Sequence, residues 1–151
     1  MYKRILVPTD GSEIAQKAVR HAIAIAKLTG GEVLGLYVIP NPSPGDIWDI
    51  WTPEDNEKAK LFRKKFEENL RCMADRYLSE IKRASDEQGL RCECISVIAD
   101  SPAEEIIRMA EEKGCDLIVM SSHGRGGIGA VLGSVTLKVL SKTKVPVLVC
   151  R

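Results

Sequence analysis

The residues of this chain best suited to chemistry lie in Met120-Ser121-Ser122-His123-Gly124-Arg125-Gly126-Gly127-Ile128-Gly129-Ala130-Val131-Leu132-Gly133-Ser134, where a glycine-rich loop follows an apolar run and leads into a helix. Glycines let backbone N–H groups approach an oxyanion without a Cβ in the way. A helix N-terminus adds unpaired N–H donors and the positive end of a dipole. The ligand such a loop suits is a phosphate. Strand-to-helix connections are also glycine-rich simply in order to turn, and the loop alone leaves that reading open. A second segment, Pro8-Thr9-Asp10-Gly11-Ser12, sets a carboxylate just beyond another apolar run. His123 has no acidic residue close by in sequence, so it reads as a structural hydrogen-bonder before a general base.

Other chemistries find less support. Cysteines fall at Cys72, Cys92, Cys94, Cys115 and Cys150, an odd number without a C-x-x-C pair, and His21 and His123 are the further soft ligands. A zinc site is not expected, and small buried thiols in a reducing cytosol are. No residue is marked as a committed nucleophile, and no lysine follows a glycine loop in the manner of a P-loop. Any nucleotide hydrolysis would be slow and incidental.

The elements that must position these residues follow from periodicity. Short β-branched runs at Arg4 to Thr9, Val33 to Ile39, Glu93 to Ile98, Asp116 to Met120 and Val145 to Cys150 read as strands. The nearly continuous apolar ones suit parallel strands covered on both faces. A first helix from about Ser12 to Thr29 presents Ala15, Ala18, Ala22, Ile25 and Ala26 to the sheet and ends at Gly30-Gly31. A second, from about Pro53 to Gln88, carries Phe62, Phe66, Leu70, Met73, Tyr77, Ile81 and Ala84 at steps of three or four, a stripe expected to be core. A third starts at Ser101-Pro102-Ala103-Glu104, with Glu104 placed to close a capping box, and stops at Gly114; a fourth opens at Ser134. Strand–helix alternation with right-handed crossovers predicts an α/β fold with one doubly wound parallel sheet, whose ligand site lies beyond the carboxyl ends of the strands.

The 151 residues fit a single domain over 1–151. Formal net charge is +1, from 22 basic and 21 acidic residues, so no overall field would recruit nucleic acid. The run Arg63-Lys64-Lys65 is answered by Glu67 and Glu68 as a solvated helix face. No segment approaches the roughly 20 apolar residues of a membrane span, and the start lacks the pattern of a secretory signal. A soluble, cytoplasmic protein without membrane partners is expected.

Three segments converge at the carboxyl ends of the predicted strands: Pro8 to Ser12, Val38-Ile39-Pro40, and the glycine loop. The runs Ile5-Leu6-Val7-Pro8-Thr9-Asp10-Gly11-Ser12, Ser122-His123-Gly124 with Gly133-Ser134, and Val145-Pro146-Val147-Leu148-Val149 together resemble the universal stress protein family, and the match covers essentially the whole chain in order. The resemblance implies an open sheet of five parallel strands in order 3-2-1-4-5 with helices on both faces, usually as a homodimer. Some members bind ATP or another adenine nucleotide and others bind none. The family's nucleotide-binding pattern is a glycine, two residues, a second glycine, nine residues, then Gly-Ser or Gly-Thr. This chain has Ser121 at the first position and only eight residues between Gly124 and Gly133. Ser121 adds a Cβ and a hydroxyl, and the shorter spacer removes up to about 3.5 Å of reach. Ser121 bears on the backbone's approach to ribose or phosphate, and the spacer on the donors aimed at the β- and γ-phosphates.

By the same resemblance, candidate nucleotide-binding residues fall in three groups: Pro8, Thr9 and Asp10; Val38; and Met120, Ser121, His123, Gly124, Arg125, Gly133, Ser134 and Val135. Asp10 is suited to ribose hydroxyls or to holding Mg²⁺ or Mn²⁺ with the phosphates, and equally to a turn or N-cap. Val38 would offer its backbone to the adenine edge. Gly124, Gly133, Ser134 and Val135 would donate N–H groups to phosphate, and Arg125 would either add charge-assisted contacts or point to solvent.

The connection Pro40 to Pro53 is long and proline-rich and contains Trp48 and Trp51, which either fold onto the second helix or form a partner surface. The terminal run Val145 to Cys150, at a sheet edge in the implied order, invites pairing with a second copy. Three function classes follow: an adenine-nucleotide-binding regulatory module, a nucleotide-independent dimeric interaction protein, and a slow ATP hydrolase. The first is favoured, with binding or sensing rather than catalysis.

Overall fold

The computed structural model of the chain describes residues 1–41, 57–125 and 131–151. Trp48, Trp51, the connection after Asn41 up to Pro53, and the loop residues 126–130 lie outside the described residues, and the two readings of the tryptophans lie there with them. The elements follow in the order β1 (Arg4–Pro8), α1 (Glu13–Thr29), β2 (Glu32–Pro40), α2 (Glu57–Asp86), β3 (Cys92–Ala99), α3 (Pro102–Glu112), β4 (Leu117–Ser121), α4 (Ser134–Lys142) and β5 (Val147–Cys150). The strands form one sheet in the order β3-β2-β1-β4-β5, every pairing parallel. The expected doubly wound α/β architecture and the strand order implied by the resemblance are both present.

Alternation along the central strands builds two cores. Ile5 and Val7 of β1, Val33, Tyr37 and Ile39 of β2 and Leu117 and Val119 of β4 face α1 and α2. Leu6, Leu34, Leu36, Ile118 and Met120 face α3 and α4. With both faces covered, the strands read as continuous apolar runs rather than alternating ones. On α1 the small residues Ala15, Ala18, Ala22 and Ala26 are buried, joined by Val19 and Ile23, while Ile25 is only partly buried. Ser12 caps the helix by accepting from the Ala15 N–H, and Gly30 closes it at φ +66, where a side chain would be strained.

Several expectations are corrected. The α2 stripe is core only in its second half: Ala74, Leu78 and Ile81 are buried with the Ser85 hydroxyl, whereas Phe62, Phe66 and Met73 are 49, 37 and 37 % exposed. Ser101 caps α3, but Glu104 does not close a box; its carboxylate pairs with Lys142 on α4 at 3.4 Å. β5 begins at Val147, two residues later than the apolar run. Of the thiols, Cys115 and Cys150 are buried, Cys92 and Cys94 are half-buried and Cys72 is exposed. No helix among the described residues is long and apolar enough to cross a membrane.

The α1–β2 connection is held by close backbone approach at Gly31, where an added Cβ would lie 2.5 Å from the Tyr2 carbonyl oxygen. At Gly89 nothing lies within 4 Å, but φ is +70. Gly31→Ala should therefore lower unfolding free energy through a backbone clash of about 1–3 kcal/mol, and Gly89→Ala by the left-handed penalty alone, about 1 kcal/mol. Urea denaturation checks the ranking, and a Gly31→Ala chain as stable as the wild type contradicts it.

Candidate functional site

Parallel topology sends every strand-to-helix loop to the same end of the sheet, and there three loops enclose a cleft of about 260 Å³. Its walls are Pro8, Thr9 and Asp10 after β1, Leu36 to Val38 and Pro40 of β2, and Met120, Ser121, His123 and Gly124 at the end of β4. Val135 and Thr136 of α4 close one side, and Pro102 and Ile106 of α3 form the floor with them. Nine of the twelve candidate residues line this cleft; Arg125, Gly133 and Ser134 do not.

Asp10 joins two of the loops. Its Oδ1 accepts from the Ser12 N–H at 3.0 Å, closing its own turn. Its Oδ2 accepts from the Arg125 N–H at 3.1 Å, across 115 residues of sequence. Asp10 is thus a turn residue, while the N-cap of α1 is Ser12. Gly124 permits the second contact, since a Cβ there would stand 2.7 Å from Oδ2. The turn is further set by the Thr9 hydroxyl, which accepts from the Gly11 N–H at 3.1 Å, and by the Thr9 N–H, which donates to the Leu36 carbonyl at 2.9 Å.

The far side of the glycine loop is equally fixed. The Gly133 N–H donates to the Ser122 carbonyl at 2.7 Å, so Gly133 is a loop-closing residue and not one of the open donors expected of it. The Ser122 N–H in turn donates to the Cys150 carbonyl of β5 at 2.7 Å, and the buried Thr136 hydroxyl donates to the Ser121 carbonyl at 2.9 Å. The His123 Nδ1 lies 3.0 Å from the Ser122 hydroxyl, and no carboxylate pairs with the ring among the described residues. At the start of α4 the cap residue is Gly133, with no side-chain cap. The N–H groups of Ser134, Val135 and Thr136 are therefore left without an intrahelical partner, and Val135 and Thr136 stand at the wall of the cleft.

Arg125 is exposed, one of the two places expected of it, and it also has an aromatic partner. Its guanidinium lies 5.3 Å over the Tyr77 ring and hydrogen-bonds the Tyr77 hydroxyl. Tyr77 stacks on Tyr37, ring centroids 5.9 Å apart at 13°. Gly11 makes room for this: φ there is +79, and an added Cβ would stand 2.2 Å from Tyr77 Cζ. Sequence reasoning placed Tyr37 in a strand and Tyr77 in a core stripe and missed both as neighbours of the site, along with Thr136, Pro102 and Ile106. A sequence signal did exist in Gly11, which sits directly after the turn carboxylate. No group of three His, Cys, Asp or Glu residues capable of holding a metal occurs among the described residues. A cation at Asp10 would need phosphate oxygens to complete its shell.

Comparison with known proteins agrees with this architecture. A family model described as the universal stress protein family matches residues 1–151. The chain is 35 % identical over 156 residues to universal stress protein MJ0577 of Methanocaldococcus jannaschii, covering 100 % of this chain and 96 % of that one. It is 31 % identical over 157 residues to universal stress protein YxiE of Bacillus subtilis, covering 100 % of both. The solved structure of MJ0577 superposes with a TM-score of 0.79 at 35 % identity, covering 99 % of this chain and 96 % of that one.

Burial pushes the Tyr37 phenol above its ordinary value of 10.0, against the opposing pull of the Arg125 charge. Removing that charge in Arg125→Ala should raise it further, read as the alkaline difference spectrum between each background and its Tyr37→Phe partner. An unfolded chain releases this proton near 10.0 while the folded chain holds it, so the contribution to stability is intact below that pH and is lost as pH rises beyond it. Earlier ionisation of Tyr37 in Arg125→Ala than in the wild type contradicts the assigned contact.

Proposed function

The chain belongs to the universal stress protein family, and from that premise we propose that it is a cytoplasmic, adenine-nucleotide-binding regulatory module of the stress response, one domain over residues 1–151, acting as a homodimer. The observation that carries the reading is the cleft at the carboxyl ends of β1, β2 and β4, apolar at Val38, Met120 and Ile106 and open at one wall to the uncapped N-terminus of α4. An apolar slot suits a flat base, and unpaired helix N–H groups suit a phosphate. Two solved universal stress proteins of the same fold carry adenine nucleotides. One is a complex with cAMP, at 24 % identity and TM-score 0.70, and the other, from Archaeoglobus fulgidus, a complex with dAMP, at 22 % and 0.61. At that identity the likeness is one of fold, and the reading for this chain rests on its own cleft.

In this reading Val38 offers its backbone to the adenine edge, with Pro8, Thr9, Met120 and Ser121 around the base and ribose. Asp10 receives ribose hydroxyls or, with Mg²⁺ or Mn²⁺ present, shares the cation with the phosphates. The phosphate donors are the N–H groups of Ser134, Val135 and Thr136 with that of Gly124, and His123 stands beside them. The groups present fit binding and orientation. No step of catalysis is assigned to them.

Calorimetry with ATP, ADP, AMP and cyclic AMP, with and without Mg²⁺, should give micromolar affinity, about −8 kcal/mol, for at least one of them. The shortened spacer predicts AMP and ADP within about tenfold of ATP, or 1.4 kcal/mol. Ser134→Glu places a carboxylate in the first turn of α4, where the dipole favours it for folding while it repels an anionic ligand. Affinity should fall by about tenfold or more with the thermal midpoint unchanged. Absence of heat with every nucleotide transfers the chain to the nucleotide-independent class.

The proposed dimer joins two β5 edges. The Pro146 and Cys150 carbonyls accept from the N–H groups of Ile118 in β4 and Ser122 just after it, so by strand alternation Val147 and Val149 turn their polar groups to the open edge. Pro146, which lacks an N–H, sits on the inner side where it costs the edge nothing. Leu148 is 39 % exposed beside it. Sedimentation at micromolar concentration should show a dimer that Val147→Pro dissociates. A monomer in the wild type, or a dimer surviving the change, defeats this interface.

A further inference from the structure

At the opposite end of the sheet, the edge strand β3 carries two cysteines two residues apart, and strand alternation puts both on the face toward α2. Their sulfurs are 3.7 Å apart. Cys94 donates its S–H to the Leu78 carbonyl of α2 at 3.4 Å, which holds it pointing into the gap. An open groove of about 650 Å³ runs over the pair between β3 and the last turns of α2, with Asp75, Ser79, Lys82 and Asp86 along it. The Ser85 hydroxyl is fully buried, has no hydrogen-bond partner among the described residues, and lies against Cys92. A buried hydroxyl without a partner is costly, and a thiolate at Cys92 would satisfy it.

We propose that Cys92 and Cys94 form a two-electron redox site, a dithiol that a hydroperoxide converts to a disulfide within β3. The Cys92 thiolate attacks the outer oxygen of the peroxide. The O–O bond breaks, Cys92 becomes a sulfenic acid, and the departing alkoxide or hydroxide takes a proton from water. Cys94 then loses its proton and its thiolate attacks the Cys92 sulfur. The S–O bond breaks, and hydroxide leaves as water with that proton. Two thiols have lost two electrons, and one peroxide has been reduced to an alcohol, or water, plus water.

The contact between the two sulfurs places the partners for both steps. Residues two apart in a strand have Cα atoms separated by about 6.6 Å, near the upper end of the span of about 4.4–6.8 Å that a disulfide bridges, and their parallel side chains keep the Cβ atoms farther apart than the roughly 3.5–4.5 Å it takes. Closing the S–S bond therefore also bends the backbone at Cys92, the first residue of the edge strand β3, out of its pairing with Val33. Cys92 is the attacking thiol, because the neighbouring Cys94 thiol, the Ser85 hydroxyl and the Lys82 charge hold it below the usual thiol range against burial and Asp86. Cys94 is held above that range by Cys92 and by burial, as suits a resolving thiol that reacts second. Cys115 and Cys150 are buried, and burial pushes both thiols up.

The test is hydrogen peroxide treatment of the full chain carrying Cys72→Ser, which removes the exposed thiol on α2. Trypsin cutting after Arg91 and Arg108 releases a peptide holding Cys92 and Cys94 and no other cysteine. That peptide should lose the mass of two hydrogens and regain it with dithiothreitol. Adding Cys94→Ser should stop the reaction at a sulfenic acid, captured by dimedone on Cys92. Retention of both thiols while Cys115 or Cys150 oxidises overturns the proposal. So does accumulation of Cys92 sulfinic acid in the presence of Cys94, or equal dimedone labelling of Cys94 when Cys92 is replaced by Ser. The Cys72→Ser chain supplies the primary readout, so the proposal stays falsifiable even if a further substitution unfolds β3.

Discussion

One carboxylate holds the two loops that define the carboxyl end of this sheet. Asp10 accepts one backbone N–H from its own turn and one from the loop after β4, and that second bond fixes where Arg125 begins. From that point the guanidinium reaches the Tyr77 ring, Tyr77 stacks on Tyr37, and both rings crowd the turn that Asp10 opened. The circuit is closed by two glycines. At Gly11 any side chain would enter the Tyr77 ring, and at Gly124 it would enter the Asp10 carboxylate. Charge-assisted bonds to backbone N–H groups are stronger than neutral ones, so the cleft wall is set by a short chain of contacts, each of which depends on the one before.

The sheet was readable because its physics is local. Strands buried on both faces require unbroken apolar runs, and helices that pack closely on them require small residues at three- and four-residue steps, as Ala15, Ala18, Ala22 and Ala26 supply. The α2 stripe shows where such reading stops. Periodicity identifies the side of a helix that would face a neighbour, but it carries no information on how far the neighbour extends. A helix of 30 residues runs about 45 Å, whereas the nine residues of β2 span about 30 Å. The buried residues accordingly begin at Ala74, and the described side chains from Glu57 to Asn69 are exposed.

The site was legible in outline for a related reason. That three loops meet follows from parallel topology alone, and their residues could be named from their distance to the strand ends. Which atoms remain open to a ligand could not be named, because that depends on competition between hydrogen bonds made across long separations. Gly133 looks like a donor to phosphate in sequence, yet its N–H closes the loop on Ser122. Arg125 looks like a phosphate ligand or a solvated charge, and an aromatic ring 48 residues earlier in the chain claims it. In both cases a hydrogen-bond or ring partner that the local sequence does not reveal takes up the group.

Helix α2 is the common wall of the two ends of the molecule. Tyr77 turns toward the cleft with Tyr37, and its neighbour Leu78 turns its carbonyl to Cys94. One and two turns further on, Lys82 and Ser85 lie beside Cys92. This division follows from the direction of the strands. Their carboxyl ends gather the loops that build a concave cleft, whereas the edge strand β3 pairs on its outer side with no strand among the described residues, and a groove along α2 is open there. Gly35 lets both arrangements coexist, since a Cβ at that position would press on Ile81 at 3.2 Å and on the Cys94 sulfur at 3.4 Å. A larger residue would push α2 away from β2 and β3. The Leu78 carbonyl would then leave Cys94 and Tyr77 would leave Tyr37, so one glycine in the middle of a strand sets the depth at which both ends are assembled.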